Sequence, residues 1–445
     1  MSHESYTENE AKERLSALGL ERYEDLIVDG PFGACDSESS ESSTSRSSLR
    51  ARAATASDED APVYLGAGFY DHSVSSSVDQ FVSQVEFHRL NASPGRPFCR
   101  ELAGALASFH LIASRLTGYE STLASVYRRG SALTHACLCA TEYFADVEPD
   151  RRLILVPETL SPTELSRLRA CSESGLFEIL TIPSCGGLTD LSAFHDALDA
   201  HGVRVAGTVV PYPNFYGLLD RVGQLCAQTR EVGGFAIMSA DPLALAALRS
   251  PAEWGADLTA CDAHLTPAYP EDGDARLGFV AASQRFLSTA PATVSTTYED
   301  DEGEVSFRLS RDLLRRRGMP RMSSSASASA ASGRLRGALR TLGFLAFTAP
   351  RELRAFAKES RRVAQYAHEA FEEAGFEFPH TGPFLREFAV RVADPDGLTA
   401  YLDRWGVVGG YRLPEGLLLA FTEKRRVEEV DELVYFMKAY RDGAR

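Results

Sequence analysis

Lysine is almost missing from this chain. Its 445 residues hold four, at positions 12, 358, 424 and 438, beside 42 arginines, so none falls between Lys12 and Lys358. Chemistry that depends on a primary amine in the long central part of the chain is thereby excluded. Other absences narrow the class further. No apolar run approaches the roughly 20 residues that cross a bilayer, so no membrane attachment is expected. The opening "MSHESYTENEAKERLSALGL" is charged and lacks the apolar centre of a secretory signal, which leads us to expect a cytoplasmic protein. The 10 histidines form no HxxxH or HxxE pattern, and no metal site is expected. No Gly-x-Ser-x-Gly or Cys/His nucleophile signature occurs either. The 8 cysteines are scattered, with Cys137 and Cys139 the one close pair; this is neither a CxxC motif nor a zinc knuckle, so reduced, buried thiols are expected. A formal net charge of -16 disfavours nucleic acid as a partner, because phosphate neutralisation needs a basic face.

What is present reads as globular. Hydrophobic residues make up 44% and charged residues 24%, with enough length for about two or three domains around sizeable cores. Residues 1–33 carry one amphipathic segment. Residues 34–62, "ACDSESSESSTSRSSLRARAATASDEDAP", form a Ser-rich polar run that reads as a flexible linker. From residue 63 to 318, strand-like and helix-like stretches alternate. "RRLILVPET", "FEILTIPS", "VAGTVVPYPN" and "GGFAIMSADPLAL" carry strands. "RELAGALASFHLIASRLTG", "GSALTHACLCATEYFA", "SPTELSRLRACSESG", "DLSAFHDALDAHG" and "LLDRVGQLCAQTREVG" are helical. Alternation at this spacing predicts a mostly parallel sheet with crossover helices on both faces. A Ser/Ala-rich loop, 319–337, separates this from residues 338–445. There a long helix, "ELRAFAKESRRVAQYAHEAFEEAG", precedes a strand–helix–strand–helix tail, which predicts a small α+β domain.

Several blocks of the chain resemble a known family. "YLGAGFYDHSV", "LTGYESTLASVYRRGSALTHACLCA", "VVPYPNFYGLLD", "ADPLALAALRSPAEWGAD" and "VVGGYRLPEGLLLAFTEKRRVEEVDELV" are similar to segments of decarboxylating glycine dehydrogenase subunit 1. That protein is the N-terminal half of the P-protein of the glycine cleavage system, and the blocks occur in the family's order from about Val63 to Tyr440. The resemblance implies the type I fold of pyridoxal-phosphate-dependent transferases, an α/β large domain with a small α+β C-terminal domain. It also implies an oxidoreductase complex that decarboxylates glycine and passes the aminomethyl group to the lipoyl H-protein. Catalytic members of this fold hold the cofactor on a lysine just after the main strands, near "DAHLTPAYPEDGDARLGFV", Asp262 to Val280. In the two-subunit form, subunit 1 lacks that lysine and a subunit 2 carries it. Pyridoxal phosphate is therefore expected on a lysine-bearing partner and not covalently on this chain. The expected partners are a subunit 2-like chain and the H-protein, with a homodimer as another possible assembly.

Four segments depart from the family pattern. "SPGRPFCREL" stands where the family has Glu-Ile-Ser-Gln-Gly, and Arg128 and Arg129 stand where it has an aspartate before the turn glycine. "YPEDGDA" replaces a Gly-rich loop, and "MPRMSSSASASA" replaces a basic stretch. These lie where the family builds pocket walls and subunit contacts. They keep a second reading open: a non-catalytic or repurposed relative serving as a scaffold or as a partner in a specialised biosynthetic pathway.

The candidate pocket residues follow from both lines. Arg96, Arg128 and Arg129 are candidate partners for a carboxylate or phosphate, and Ser131 opens a helix whose N-terminal N–H groups suit an anion. Tyr70 and His72 follow the "LGAG" turn. Asn214 and Tyr216 sit where a strand ends, the rim at which open α/β sheets bind ligands. Asp241, at the end of the next strand, occupies the place where the family's catalytic half pairs an aspartate with the pyridine nitrogen; capping of the following helix is its other expected role. His264 sits near the position of the missing lysine.

Overall fold

The computed structural model describes residues 62–68, 70–90, 100–119, 121–128, 131–263, 275–283, 285–286, 295–299, 305–309 and 339–443. Its centre is a seven-stranded sheet. In chain order the elements are α1 (Ser76–Leu90), α2 (Arg100–Thr117), β1 (Ser121–Arg128), α3 (Ser131–Phe144), β2 (Leu153–Pro157), α4 (Pro162–Glu173) and β3 (Glu178–Ile182). A short hairpin, β4 (Ser184–Cys185) and β5 (Leu188–Thr189), precedes α5 (Leu191–His201), β6 (Val205–Tyr212), α6 (Val222–Glu231) and β7 (Phe235–Ala240). A one-turn α7 (Pro242–Leu245), β8 (Leu258–Ala263) and β9 (Ala275–Ala282) complete the layer. The strand order is β1-β9-β8-β7-β6-β2-β3. β3, β2, β6, β7 and β8 pair in parallel, while β9 runs antiparallel to both β8 and β1.

The apolar runs explain why this sheet is internal. Along β2, Leu153 and Leu155 face one core cluster, and Ile154 and Val156 face the other. Along β7, Ala236, Met238 and Ala240 alternate in the same way with Phe235 and Ile237. Side chains alternate across a strand, so a continuous apolar run is the signature of a sheet covered on both faces. Helix ends are set locally. Ser161 accepts from the Glu164 N–H at 3.3 Å with Pro162 in the first turn, and α4 stops just before Gly175 at φ 73°. α2 stops at Gly118, at φ 75°.

Two small strands, β10 (Ser295–Glu299) and β11 (Val305–Leu309), pair antiparallel in a sheet of their own. A helical stretch at 339–347 follows, then α8 (Pro350–Glu373), β12 (Glu387–Arg391), α9 (Pro395–Asp403), β13 (Tyr411–Leu413), β14 (Gly416–Ala420) and α10 (Val427–Arg441). The tail is thus strand, helix, two-strand hairpin, helix, one strand more than the sequence reading: "LPEG" turns the chain tightly between β13 and β14. The antiparallel order is β12-β14-β13, and Phe371, Phe388, Leu417, Leu433 and Phe436 share its core. The domains interlock at both ends. Val63 and Leu65 make bridges to Val408 and Leu419 of the C-terminal unit, while Leu342, Phe344 and Leu353 join the core of the large one. Cys137, Cys139, Cys171, Cys226 and Cys261 are buried free thiols, and Cys185 is an exposed one. Burial pushes the Cys139 and Cys226 thiols up to about 12. Among the described residues no helix is long and apolar enough to cross a membrane, and no His/Cys/Asp/Glu group could hold a metal ion.

Candidate functional site

The C-terminal ends of β6 and β7 form the rim on which the candidate residues converge. Asp241 directly follows β7. Its Oδ1 accepts from the Leu243 and Ala244 N–H groups at 2.9 and 3.4 Å, the cap that "ADP" predicts, and its Oδ2 is ion-paired with Nη2 of Arg386. Arg386 arrives from the other domain, one residue before β12 begins. Its side chain is 3% exposed, and the guanidinium carbon lies 3.5 Å from the centroid of the Tyr70 ring. A desolvated guanidinium over an aromatic face, with a carboxylate at its edge, is held by charge-assisted and cation–π attraction together.

Tyr70 and His72 complete this cluster. The Tyr70 hydroxyl donates to Glu387 at 2.6 Å, and burial with the nearby Glu387 charge pushes its pKa well up. The second oxygen of Glu387 accepts from the Ala67 N–H at 3.0 Å, which fixes the "LGAG" turn on β12. A Cβ at Gly66 would overlap this carboxylate, so a larger residue there would push Glu387 from its bonds to Tyr70 and Ala67. His72 is buried, with Nδ1 2.7 Å from Glu423 and Nε2 3.5 Å from Nη1 of Arg386. Burial lowers the His72 pKa, with the Glu423 hydrogen bond acting against it. Burial raises the Glu423 pKa, but the hydrogen bonds from His72 and the Ser73 N–H outweigh it and leave the carboxyl lowered. A neutral imidazole fits this pattern: Nδ1–H donates to Glu423 and Nε2 accepts from Arg386. Beside it, Asp71 accepts from Lys424 at 2.7 Å and from Arg425 at 3.1 Å, and its carbonyl accepts from Thr422.

Asn214 and Tyr216 lie elsewhere on the rim. The Asn214 amide donates to the Gly187 carbonyl, and its Oδ1 accepts from the Tyr216 and Leu218 N–H groups at 3.0 and 3.1 Å. Tyr216 packs on His380, with ring centroids 3.8 Å apart, and His380 pairs with Glu415 at 2.7 Å. Arg386 therefore brings Tyr70, His72 and Asp241 together, and the turn that holds Asn214 and Tyr216 packs beside them, with Tyr216 against the Ala67 cluster and Gly217 against Glu387. Arg128 ends β1 and Ser131 begins α3; only their backbone placement is described. Arg96, Arg129 and His264 lie outside the described residues, as does 264–274, the connection where the lysine is missing. Sequence reasoning missed Arg386, Glu387 and Glu423. A signal existed: "LREFAV" places two adjacent charges at the start of an otherwise apolar strand, and charges carried into a core are almost always paired.

The fold places this protein in the class of type I pyridoxal-phosphate-dependent enzymes. Similar architectures occur in a cysteine desulfurase from Thermococcus onnurineus NA1, with a TM-score of 0.59 and 13% identity over 87% of this chain and 96% of that one. An alanine–glyoxylate aminotransferase from Nostoc sp. gives a TM-score of 0.56 and 17% identity over 85% and 94%. A glycine decarboxylase (P-protein) of the glycine cleavage system, solved in inhibitor-bound form, gives a TM-score of 0.69 and 25% identity over 98% of this chain and 99% of that one. The family model described as "Glycine cleavage system P-protein" matches residues 1–437, and the chain belongs to that family. The match takes in the first 62 residues, which the block-by-block resemblance left out. Relatives named probable glycine dehydrogenase (decarboxylating) subunit 1 include one from Syntrophomonas wolfei, 30% identical over 84% of this chain and 83% of its own length. Another, from Carboxydothermus hydrogenoformans, is 28% identical over 98% of each.

The residues of this chain do not suit the cofactor of that class. Binding there needs a lysine for the Schiff base and an acidic partner for the ring nitrogen. The central chain has no lysine, and Asp241 is already engaged by two backbone N–H groups and Arg386. Lys424 is held by Asp71, and Lys358 and Lys438 are exposed on α8 and α10.

Proposed function

We propose that this chain is the subunit-1 component of a glycine-decarboxylating complex. A lysine-bearing subunit 2-like chain carries pyridoxal phosphate, and the lipoyl H-protein receives the aminomethyl group. This chain supplies the subunit interface and part of the pocket, and the complex works in the cytoplasm. The observation that carries the reading is the family match along nearly the whole chain, combined with a lysine-free stretch from 13 to 357. Arg96, Arg128, Arg129, Ser131 and His264 are the side chains proposed to reach the partner's pocket. The test is reconstitution: this chain, a lysine-bearing subunit and H-protein together should exchange glycine carboxyl with bicarbonate, and omission of this chain should abolish the exchange.

A second reading is favoured by one specific observation. Arg386 neutralises the aspartate at the end of β7 from within, which suits a chain whose pocket has been retired. On that reading the chain is a scaffold or a partner in another pathway, and the fully assembled complex shows no glycine-dependent exchange. Neighbouring genes for subunit 2, H-protein and T-protein would favour the first reading. Biosynthetic neighbours without them would favour the second.

A further inference from the structure

Arg386 joins three segments far apart in the chain. It meets Asp241 at the end of β7, lies over the Tyr70 ring at 3.5 Å, and approaches His72 Nε2 at 3.5 Å. His72 in turn is tied to Glu423, which Ser360 of α8 also contacts at 3.3 Å. The guanidinium therefore links the large domain, the turn after "LGAG" and the C-terminal domain through one buried group. Chemically the surroundings form a receptor for a flat cation: an anionic edge at Asp241, an aromatic face at Tyr70 and an acceptor nitrogen at His72. They stand at the C-terminal end of a parallel strand, the place where an open α/β sheet offers its ligand crevice. A small ligand would need this same aspartate and this same ring face.

We infer that Arg386 is a resident planar cation that fills this chain's own crevice and fastens the C-terminal domain to the large one. The crevice then stays closed whatever a partner subunit carries, and the two domains move as one body. Opening a hinge between them would uncover the Tyr70 face and part Arg386 from Asp241, giving up the ion pair and the cation–π contact together. The inference concerns only this chain's side chains and stands whether or not glycine is the substrate of the complex.

The test uses the full-length chain and hydrogen exchange read by mass spectrometry, with thermal melting beside it. In Asp241→Asn the amide oxygen still accepts from Leu243 and Ala244, so the helix cap survives and the negative charge facing Arg386 is lost. Exchange should rise at least about tenfold together in segments 64–73, 236–246 and 384–392, because local opening is a cooperative event. Arg386→Ala should do the same and melt lower. Millimolar guanidinium chloride should then raise its midpoint, relative to matched sodium chloride, and should leave the wild type and Arg386→Ala/Asp241→Asn unchanged. Should Arg386→Ala fail to fold, Asp241→Asn and Arg386→Lys decide: loosening in all three segments supports the lock, and wild-type exchange in both overturns it. Equal guanidinium effects with and without the Asp241 charge would also overturn it.

Discussion

His72 has the plainest consequence among single residues. Its folded pKa lies below the ordinary 6.5, chiefly through burial, with Glu423, Arg386 and Asp71 as the charges around it. A base with a depressed folded pKa binds its proton more readily when unfolded. Stability from His72 is thus whole above pH 6.5 and falls as the pH drops through and below that value. Glu423, also lowered, adds loss of the same sign at more acid pH. His72→Gln should flatten the decline between about pH 6.5 and 5 in urea midpoints, whereas His368, also lowered by burial, leaves a residual slope in both proteins. A second residue-scale prediction concerns Gly217, at φ 80° against the Glu387 backbone. Gly217→Ala should destabilise by roughly 1–3 kcal/mol or more, measured by denaturant unfolding, because left-handed strain and overlap act together. Some of this was legible in the sequence. "ADPLAL" announced a cap at Asp241 because Asp before Pro at a strand end is a local signal. Arg386 was not legible as its partner, since the pairing depends on how two domains meet.

At the scale of elements, the strands and helices whose signals are local were foreseen, and those made by distant pairing were not. β2, β6 and β7 carry mostly apolar, buried runs, the edge strand β3 carries three apolar residues, and α2, α4 and α8 carry caps or a 3.6-residue stripe. β1 was missed because "STLASVYR" becomes a strand by pairing with β9, far along the chain. The β13–β14 division was missed because a tight turn interrupts an apolar run that reads as one strand. The caps make a quantitative prediction. Asp190 accepts from the Ser192 and Ala193 N–H groups at 2.9 and 3.2 Å at the start of α5. Asp190→Ala should cost about 1 kcal/mol in urea unfolding, with the far-ultraviolet spectrum of the folded protein unchanged. A loss near zero would mean that packing of Phe194 and Leu198 alone fixes this helix start.

At the scale of the whole molecule, the proposed function is a division of labour between chains. The fold, the family membership and the lysine-free centre belong to this chain, and on the proposed function the covalent cofactor is carried by another. Purified alone, the chain should retain no cofactor absorbance after desalting, and borohydride in the presence of pyridoxal phosphate should label none of Lys358, Lys424 or Lys438 specifically. Mixed with a lysine-bearing subunit it should form a complex of defined stoichiometry, seen by light scattering, since folds of this kind build their assemblies through subunit interfaces. Arg128→Ala and Arg129→Ala in that complex should leave assembly intact and weaken glycine-dependent turnover on the order of tenfold to a hundredfold, the effect of losing one charge-assisted contact. The measurement that bears most directly on the central claim is glycine–bicarbonate carboxyl exchange with H-protein, run on each subunit alone and on the pair. The account predicts exchange by the pair and none by this chain alone or by its partner alone. Exchange by the partner at full rate without this chain, or a well-assembled, cofactor-loaded pair that shows none, would contradict it.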